Sequence, residues 1–384
     1  MKDSIRFPEI HGYGRATIMA RTLPPTLRRK SGPIRLPDNH PELNGGSLLK
    51  TGALSPEQLA GQRLMVGFDG TELTNDLKFQ IKTLKVGGVI LFARNISSPE
   101  QVRQLCWSIQ DYASTFGQPP LFIAVDQEGG AVARLKAPFT EFPGNPSMKG
   151  PEDAVVFAEI TARELTGVGF NMNMAPVMDV APEGFDSVNA KRIFGHDPAY
   201  VAQMGSTVIR HLQKNGVISV AKHFPGIGRT TLDSHLDLPT LDSSLSEMEA
   251  YDLIPFNAAI KNQVAGIMLS HIRYSGIDPD WPASLSTKIA RDLLRHQLGY
   301  TGLVITDDLD MGAIAHHYDI KTVLQQLLKA FVDIALICHP GPNIEIALEQ
   351  IMKSNRDNSD LYAAGLTSVD RMANLKTRFI NLNQ

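Results

Sequence analysis

Eight short apolar runs punctuate this chain at a spacing that few folds accommodate: residues 64–68, 88–92, 121–125, 170–174, 217–221, 266–270, 303–306 and 334–338. Between them lie longer amphipathic segments, among them 99–116, 152–165, 198–214, 244–261 and 287–298. Strands that are apolar throughout are buried on both faces, and helices between them are the crossovers of a parallel sheet. Eight such repeats predict an α/β fold closed into a (β/α)8 TIM-type barrel in a single domain. An open doubly wound sheet wants a glycine-rich phosphate turn after its first strand, and Phe68-Asp69-Gly70-Thr71 is not that turn.

Organisation follows from where the pattern begins. Residues 1–54 are basic, rich in Pro and Gly and without periodicity, and read as an N-terminal extension. Their first 37 positions hold eight Lys/Arg against two acids, while the remainder carries the other 29 bases and 38 acids. Ser55-Pro56-Glu57-Gln58 reads as a capped helix start, so residues 55–384 form the expected barrel domain. A net charge of −3 argues against nucleic acid as a partner. No apolar stretch approaches the ~18 residues of a membrane span, so no membrane association is expected. Two cysteines, Cys106 and Cys338, exclude a disulfide framework and fit a reducing compartment such as the cytoplasm.

In a barrel the site lies at the C-terminal ends of the strands. Here the third run ends at Asp126, and Asp179 and Arg192 follow the fourth. The fifth gives Lys222 and His223, the sixth His271, the seventh Asp307 and Asp308, and the eighth His339. A carboxylate such as Asp307 at a strand end can be a nucleophile, a metal ligand or a cap. Arg134, Arg192 and Lys222 are cations that could line the same mouth and hold it ionised. The Gly/Pro loop after Lys222-His223-Phe224-Pro225-Gly226 ends in Asp233-Ser234-His235. Asp233 can accept from one imidazole nitrogen and turn the other toward a substrate, or merely satisfy a loop histidine. In Asp126-Gln127-Glu128-Gly129-Gly130-Ala131-Val132-Ala133-Arg134, Asp126 can bind sugar hydroxyls or cap a turn, and Glu128 could equally pair with Arg134.

These segments together resemble family 3 glycoside hydrolases, most closely the single-domain bacterial β-N-acetylhexosaminidase branch. The likeness runs from about Leu59 to beyond Pro340. It rests on 87–95, 126–135, 173–180 with Arg192-Ile193-Phe194-Gly195, Lys222-His223-Phe224-Pro225-Gly226, Asp233-Ser234-His235 and Asp307-Asp308-Leu309-Asp310-Met311. The resemblance implies a retaining hydrolysis of terminal β-linked N-acetylglucosamine through a covalent glycosyl-enzyme. It implies Asp307 as nucleophile, His235 as acid/base and Asp233 as its dyad partner. Asp126, Arg134, Arg192, Lys222 and His223 match sugar-binding positions. No metal and no cofactor are expected. The partner is then a small N-acetylglucosamine-containing glycan, with cell-wall muropeptides in peptidoglycan recycling the closest suggestion.

The chain departs from the family pattern at two places. Gly226-Ile227-Gly228-Arg229 replaces a loop that usually reads Gly-His-Gly-Asp, and Phe331-Val332-Asp333 replaces Gly-Ala-Asp, which reads as packing. Two rival classes share part of this residue set. A metal-dependent amidohydrolase barrel also gathers Lys, His and Asp, but wants a His-x-His pair where this chain has Gly67-Phe68-Asp69. A sugar-binding barrel without catalysis accommodates the loop departures but leaves the intact Asp233, His235 and Asp307 unexplained. Among the remaining candidates, His271 and His339 read as pocket floor, Trp107 as helix packing and Trp281 as a possible border of the mouth, and the His316-His317 pair has no assigned role.

Overall fold

The computed structural model describes residues 54–380. The extension expected for residues 1–54 therefore lies outside the described residues, apart from Leu54.

All eight apolar runs become strands: β1 (Leu64–Val66), β2 (Gly88–Leu91), β3 (Phe122–Val125), β4 (Met172–Asn173), β5 (Ile218–Phe224), β6 (Gly266–Leu269), β7 (Leu303–Asp308) and β8 (Ile334–Ile337). They close into one barrel, every adjacent pair parallel, with β8 returning to β1 through Leu64 opposite Ala335. β4 is the shortest because its run meets Pro176, which has no N–H for a ladder. Side-chain amides brace it instead. Asn171 bonds the backbone of Leu121 and Ile123, and Asn173 bonds the backbone of Gln127 at both its N–H and its carbonyl.

The alternation of a strand sorts the core into two shells. Met65, Ile90, Phe122, Ile218, Met268, Ile305 and Leu336 point into the barrel. Their neighbours Val66, Val89, Ile123, Ile267, Val304 and Ile337 point outward and meet the helices. Those helices start where the sequence supplies caps. Ser55 forms a reciprocal capping box with Gln58, Ser98 caps Pro99–Thr115, and Asp197 caps Pro198–Lys214. The single helix expected over 244–261 is two, Leu245–Ala250 and Leu253–Lys261. Pro255 explains the break, since it cannot donate to the Tyr251 carbonyl as a continuous helix requires. The expected helix after Ser286 is π-helical over Thr287–Gln297.

The N-terminal end of the barrel is closed by the last helix, Ser359–Phe379, whose Val369 and Met372 join the inner shell. Asp333 sits in a buried cluster there. It accepts from Arg295, Arg371, Ser368 and the Val304 N–H, while Arg63 donates to its carbonyl. The segment 331–333 is thus only partly packing: Val332 is buried, but Phe331 holds φ +57° beneath the Arg291 guanidinium and Asp333 is an ion-pair centre. No described helix is long and apolar enough to cross a membrane.

Candidate active site

The C-terminal ends of the strands surround a cavity of about 230 Å³. Its floor is the upper layer of the inner shell, Ile90, Met268, Leu336 and Cys338. Its charged wall starts at Asp126, which follows β3 directly. The next residues form a small hairpin, Gln127–Gly129 against Val132–Ala133, turned by Gly129 and Gly130 at φ +86° and +60°. Only glycine adopts both angles without strain. The Gln127 side chain accepts the N–H groups of Arg134 and Leu135, which fixes where the arginine leaves the hairpin.

Four charges then interlock with a fifth at the rim. The Lys222 ammonium lies 2.7 Å from an Asp126 oxygen and 2.7 Å from Glu128. Arg192 meets Glu128 in a two-pronged contact of 3.0 and 2.8 Å, and Arg134 reaches Asp126 at 3.3 Å. The sequence suggests Arg134 as the partner of Glu128. The structure gives Glu128 to Arg192 and Lys222, because the hairpin turns Glu128 inward and leaves Arg134 at the mouth over the Phe92 ring. Burial alone would raise the Asp126 carboxyl, but Lys222, Arg134 and Arg192 together lower it to about 2. The same balance lowers Glu128 and raises Lys222. All these side chains stay ionised at neutral pH and present fixed hydrogen-bonding groups to a polar ligand.

Asp179 orders the root of the β5 loop. It lies at full burial, takes the His223 ring nitrogen Nδ1 at 2.8 Å, and accepts the backbone N–H groups of His223 and Ile227 and the Asn189 amide. An ionised carboxylate only accepts, so Nδ1 of His223 carries the proton, and Nε2 faces Arg192 at 3.4 Å. Ile227, one of the two loop departures, is buried, with its backbone held by Asp179. Arg229, the other, makes a paired contact with buried Asp252 at 3.2 and 2.6 Å and donates to the Ser243 hydroxyl. The departure at 229 thus has its own compensating acid.

Asp307 is the penultimate residue of β7 and lines the cavity. Burial disfavours its charge, but His223, His271, the Asp308 N–H and Lys222 outweigh this and lower its pKa. Its neighbour Asp308 goes the other way. Burial, with Asp310 and Asp307 nearby, pushes it up to about 6. At the tip of the β5 loop, Asp233 accepts both the backbone N–H of His235, at 2.9 Å, and its ring Nδ1, at 2.7 Å. That leaves Nε2 of His235 free to turn inward, and His235 lines the same cavity as Asp307. The tip rests on the segment after β7: the Gly312 N–H donates to the His235 carbonyl and the Ala313 N–H to that of Ser234. A Cβ at 312 would lie 2.7 Å from the His235 and Leu236 carbonyl oxygens, so glycine is what permits this approach.

Of the eight residues singled out in the sequence, seven line this cavity; Asp233 stands behind His235. His271 does not form the floor. It is buried outside the cavity, bonded to Ser284 and to the Asp308 carbonyl. His339 is exposed beside Asp308 and Asp310, and Trp281 packs on Tyr318 rather than at the mouth. Trp107 is exposed, with Arg103 over its ring, and is not helix packing. Phe92, Met311 and Cys338 line the cavity without having been singled out. Strand alternation could have placed Phe92 and Cys338, since both follow inward-facing residues by two positions. Among the described residues, only Asp308, Asp310 and His339 bring three ligand atoms within 4.8 Å of one another. Lys222, His223, His271 and Asp307 do not form the cluster an amidohydrolase reading requires.

A parallel barrel with a concave, charge-lined cavity at its strand C-terminal ends is the arrangement of a barrel enzyme with a site for a polar ligand. Residues 56–369 match the glycosyl hydrolase family 3 N-terminal domain. A β-hexosaminidase of Nitrosomonas eutropha is 37% identical over 285 residues, covering 72% of this chain and 80% of its own length. One from Pseudomonas aeruginosa is 34% identical, with 76% and 86% covered. The family 3 β-N-acetylglucosaminidase structure from Paenibacillus sp. superposes with a TM-score of 0.82 at 36% identity, covering 85% of this chain but 63% of that one. The β-N-acetylhexosaminidase from Beutenbergia cavernae gives 0.79 at 29% identity, with 84% and 99% covered. The chain belongs to glycosyl hydrolase family 3 and is a glycoside hydrolase.

Proposed function

We propose that this chain is a retaining β-N-acetylhexosaminidase acting on terminal β-linked N-acetylglucosamine. The observation that carries the reading is that Asp307, on β7, and His235, on the loop after β5, line one cavity whose wall is built from Asp126, Arg134, Arg192, Lys222 and His223. The names of its relatives, β-hexosaminidase and β-N-acetylglucosaminidase, support the substrate class.

In this reading the five wall residues bind the hydroxyls of the terminal sugar and fix its anomeric carbon against Asp307. Asp307, kept ionised by the imidazoles and the ammonium around it, attacks that carbon. Nε2 of His235 donates its proton to the glycosidic oxygen, and the aglycone leaves. His235 then takes a proton from water, which opens the glycosyl-enzyme with net retention. Asp233 holds Nδ1 throughout and compensates the charge of the imidazolium. An imidazole can both donate and accept a proton at its ring nitrogens, which suits a group that must give and take a proton in turn. Residues 55–384 are the catalytic barrel in this scheme, and its steps need neither metal nor cofactor. Muropeptide fragments in the reducing cytoplasm are the natural glycan we favour, consistent with the two buried free thiols.

The test is hydrolysis of 4-nitrophenyl β-N-acetylglucosaminide against the β-glucoside and β-xyloside. Selective cleavage of the first, lost in Asp307→Ala, is expected. His235→Ala should lose far more on poor leaving groups than on activated aryl ones. Equal losses on both would remove the acid role.

A further inference from the structure

The β5 loop is held differently at its two ends. Its root is buried, pinned by Asp179 to Ile227 and by Asp252 to Arg229. Its tip is open to solvent, with Leu236 67% exposed and the side chain of His235 69% exposed. Yet the tip carries the dyad. Among the described residues, the hydrogen bonds holding it over the cavity come from the segment after β7. They are made by the N–H groups of Gly312 and Ala313, and by one side chain, His317, whose Nε2 lies 2.5 Å from Asp237 Oδ1. That carboxylate oxygen also accepts the Leu238 N–H, so the contact fixes the backbone just beyond the dyad. The His317 ring centroid lies 6.3 Å from that of Tyr318, whose ring is tilted over Trp281 at 5.3 Å.

We propose that His317 is a positioning residue for the reaction, a tether that keeps the 233–237 tip docked so that His235 faces Asp307. The inference rests on reading His235 as the acid/base. One segment then carries one partner of the chemistry and holds the other in place. It starts with Asp307, and ten residues later it returns to hold the loop bearing His235. Two backbone hydrogen bonds on an exposed tip leave it free to lift, and a side-chain hydrogen bond at that tip biases the population toward the docked form. Its exposure limits the bias to a modest factor. Neither partner belongs to the cavity wall. His317 and Asp237 are both open to solvent on their remaining faces and stand outside the cavity lining.

The experiment uses the full chain with His317→Ala, His317→Gln and Asp237→Ala. Glutamine places an amide donor where Nε2 stood. Two readouts are taken: hydrogen exchange of the peptide spanning 230–240, and kcat/KM on N-acetylglucosaminides with alkyl and with dinitrophenyl leaving groups. His317→Ala and Asp237→Ala should each speed exchange of that peptide. Each should lower kcat/KM on the alkyl glycoside about three- to five-fold, the range an exposed pair can enforce. The dinitrophenyl glycoside, which needs no proton, should stay within about two-fold. His317→Gln should restore both readouts. Unchanged exchange in the alanine variants overturns the tether itself. Equal losses on both substrates overturn the positioning role in favour of general damage. Faster exchange with alkyl turnover intact overturns the proposal through the role given to His235, leaving the tether as a fact of the loop.

Discussion

Replacing Lys222 with methionine tests the electrostatic frame of the site directly. The ammonium is shared by Asp126 and Glu128 at 2.7 Å each, and methionine fills its space without its charge. Breaking a buried pair by removing one partner costs ~3–5 kcal/mol. Here both carboxylates keep an arginine, Asp126 at 3.3 Å and Glu128 in its paired contact, so we expect the lower end, about 3 kcal/mol. The sign of the pH dependence follows from the same groups. Asp126 has its pKa lowered from 3.8 to about 2, so its pairing contributes stability above pH ~4 that is lost as pH falls through about 2. That displacement is worth about 2 kcal/mol in the wild type. In the variant both carboxyls protonate at higher pH, so the deficit against wild type is greatest near neutrality and shrinks as the solution is acidified. Urea unfolding of both proteins at pH 7, 4 and 3 gives the comparison. A deficit that stays constant over this range would refute the reasoning, since it would trace the loss to packing rather than to unpaired carboxylates.

Three further outcomes follow from the geometry. Arg229→Ala strands buried Asp252, so stability at pH 7 should fall by about 3 kcal/mol in chemical denaturation, with partial recovery in Arg229→Ala/Asp252→Asn. Asp308→Asn should stabilise the fold only at higher pH. The native carboxyl binds its proton up to about pH 6 against 3.8 when unfolded, so the native state loses stability as pH rises from about 4 to 6. Thermal melts of the variant and wild type should coincide near pH 4 and separate above 6, the variant higher by about 3 kcal/mol. Gly312→Ala drives a methyl into the His235 and Leu236 carbonyls, so loss of activity on poor leaving groups should exceed loss of stability, read by kinetics beside a melt.

The barrel was legible because its signal is repeated. Each apolar run is short, but a strand buried on both faces is mostly apolar until it nears the rim, so each of the eight runs overlaps one of the eight strands, though β5 and β7 continue past their runs into Lys222-His223-Phe224 and Asp307-Asp308. Helix boundaries were legible where Ser or Asp caps precede Pro, as at Ser98 and Asp197, and failed where Pro255 lies inside an otherwise helical pattern. The charged residues that line the cavity were visible as strand-end polar groups and in the motifs of the family resemblance. Their pairing was not. Glu128 took Arg192 rather than Arg134, and Arg229 found its acid at Asp252, because a motif fixes residue types while pairing depends on which way a hairpin twists. His271 and Trp281 read as neighbours of the substrate because their strands and loops end there; the direction of a side chain after a strand end is a tertiary fact.

The last helix has a consequence for anyone cutting this gene. The family match ends at residue 369, yet Met372 and partly buried Leu375 and Phe379 continue the filling of the barrel's interior. Beyond that boundary Lys376 pushes its ammonium through the closed end, donates to Gln62 and to the Gly87 carbonyl, and lies over the Phe122 ring, with burial drawing its pKa down to about 7. A fragment trimmed to the family-matched region would be a bottle without its cork. Water would reach the inner shell from below, at the end opposite the cavity where the sugar is proposed to sit.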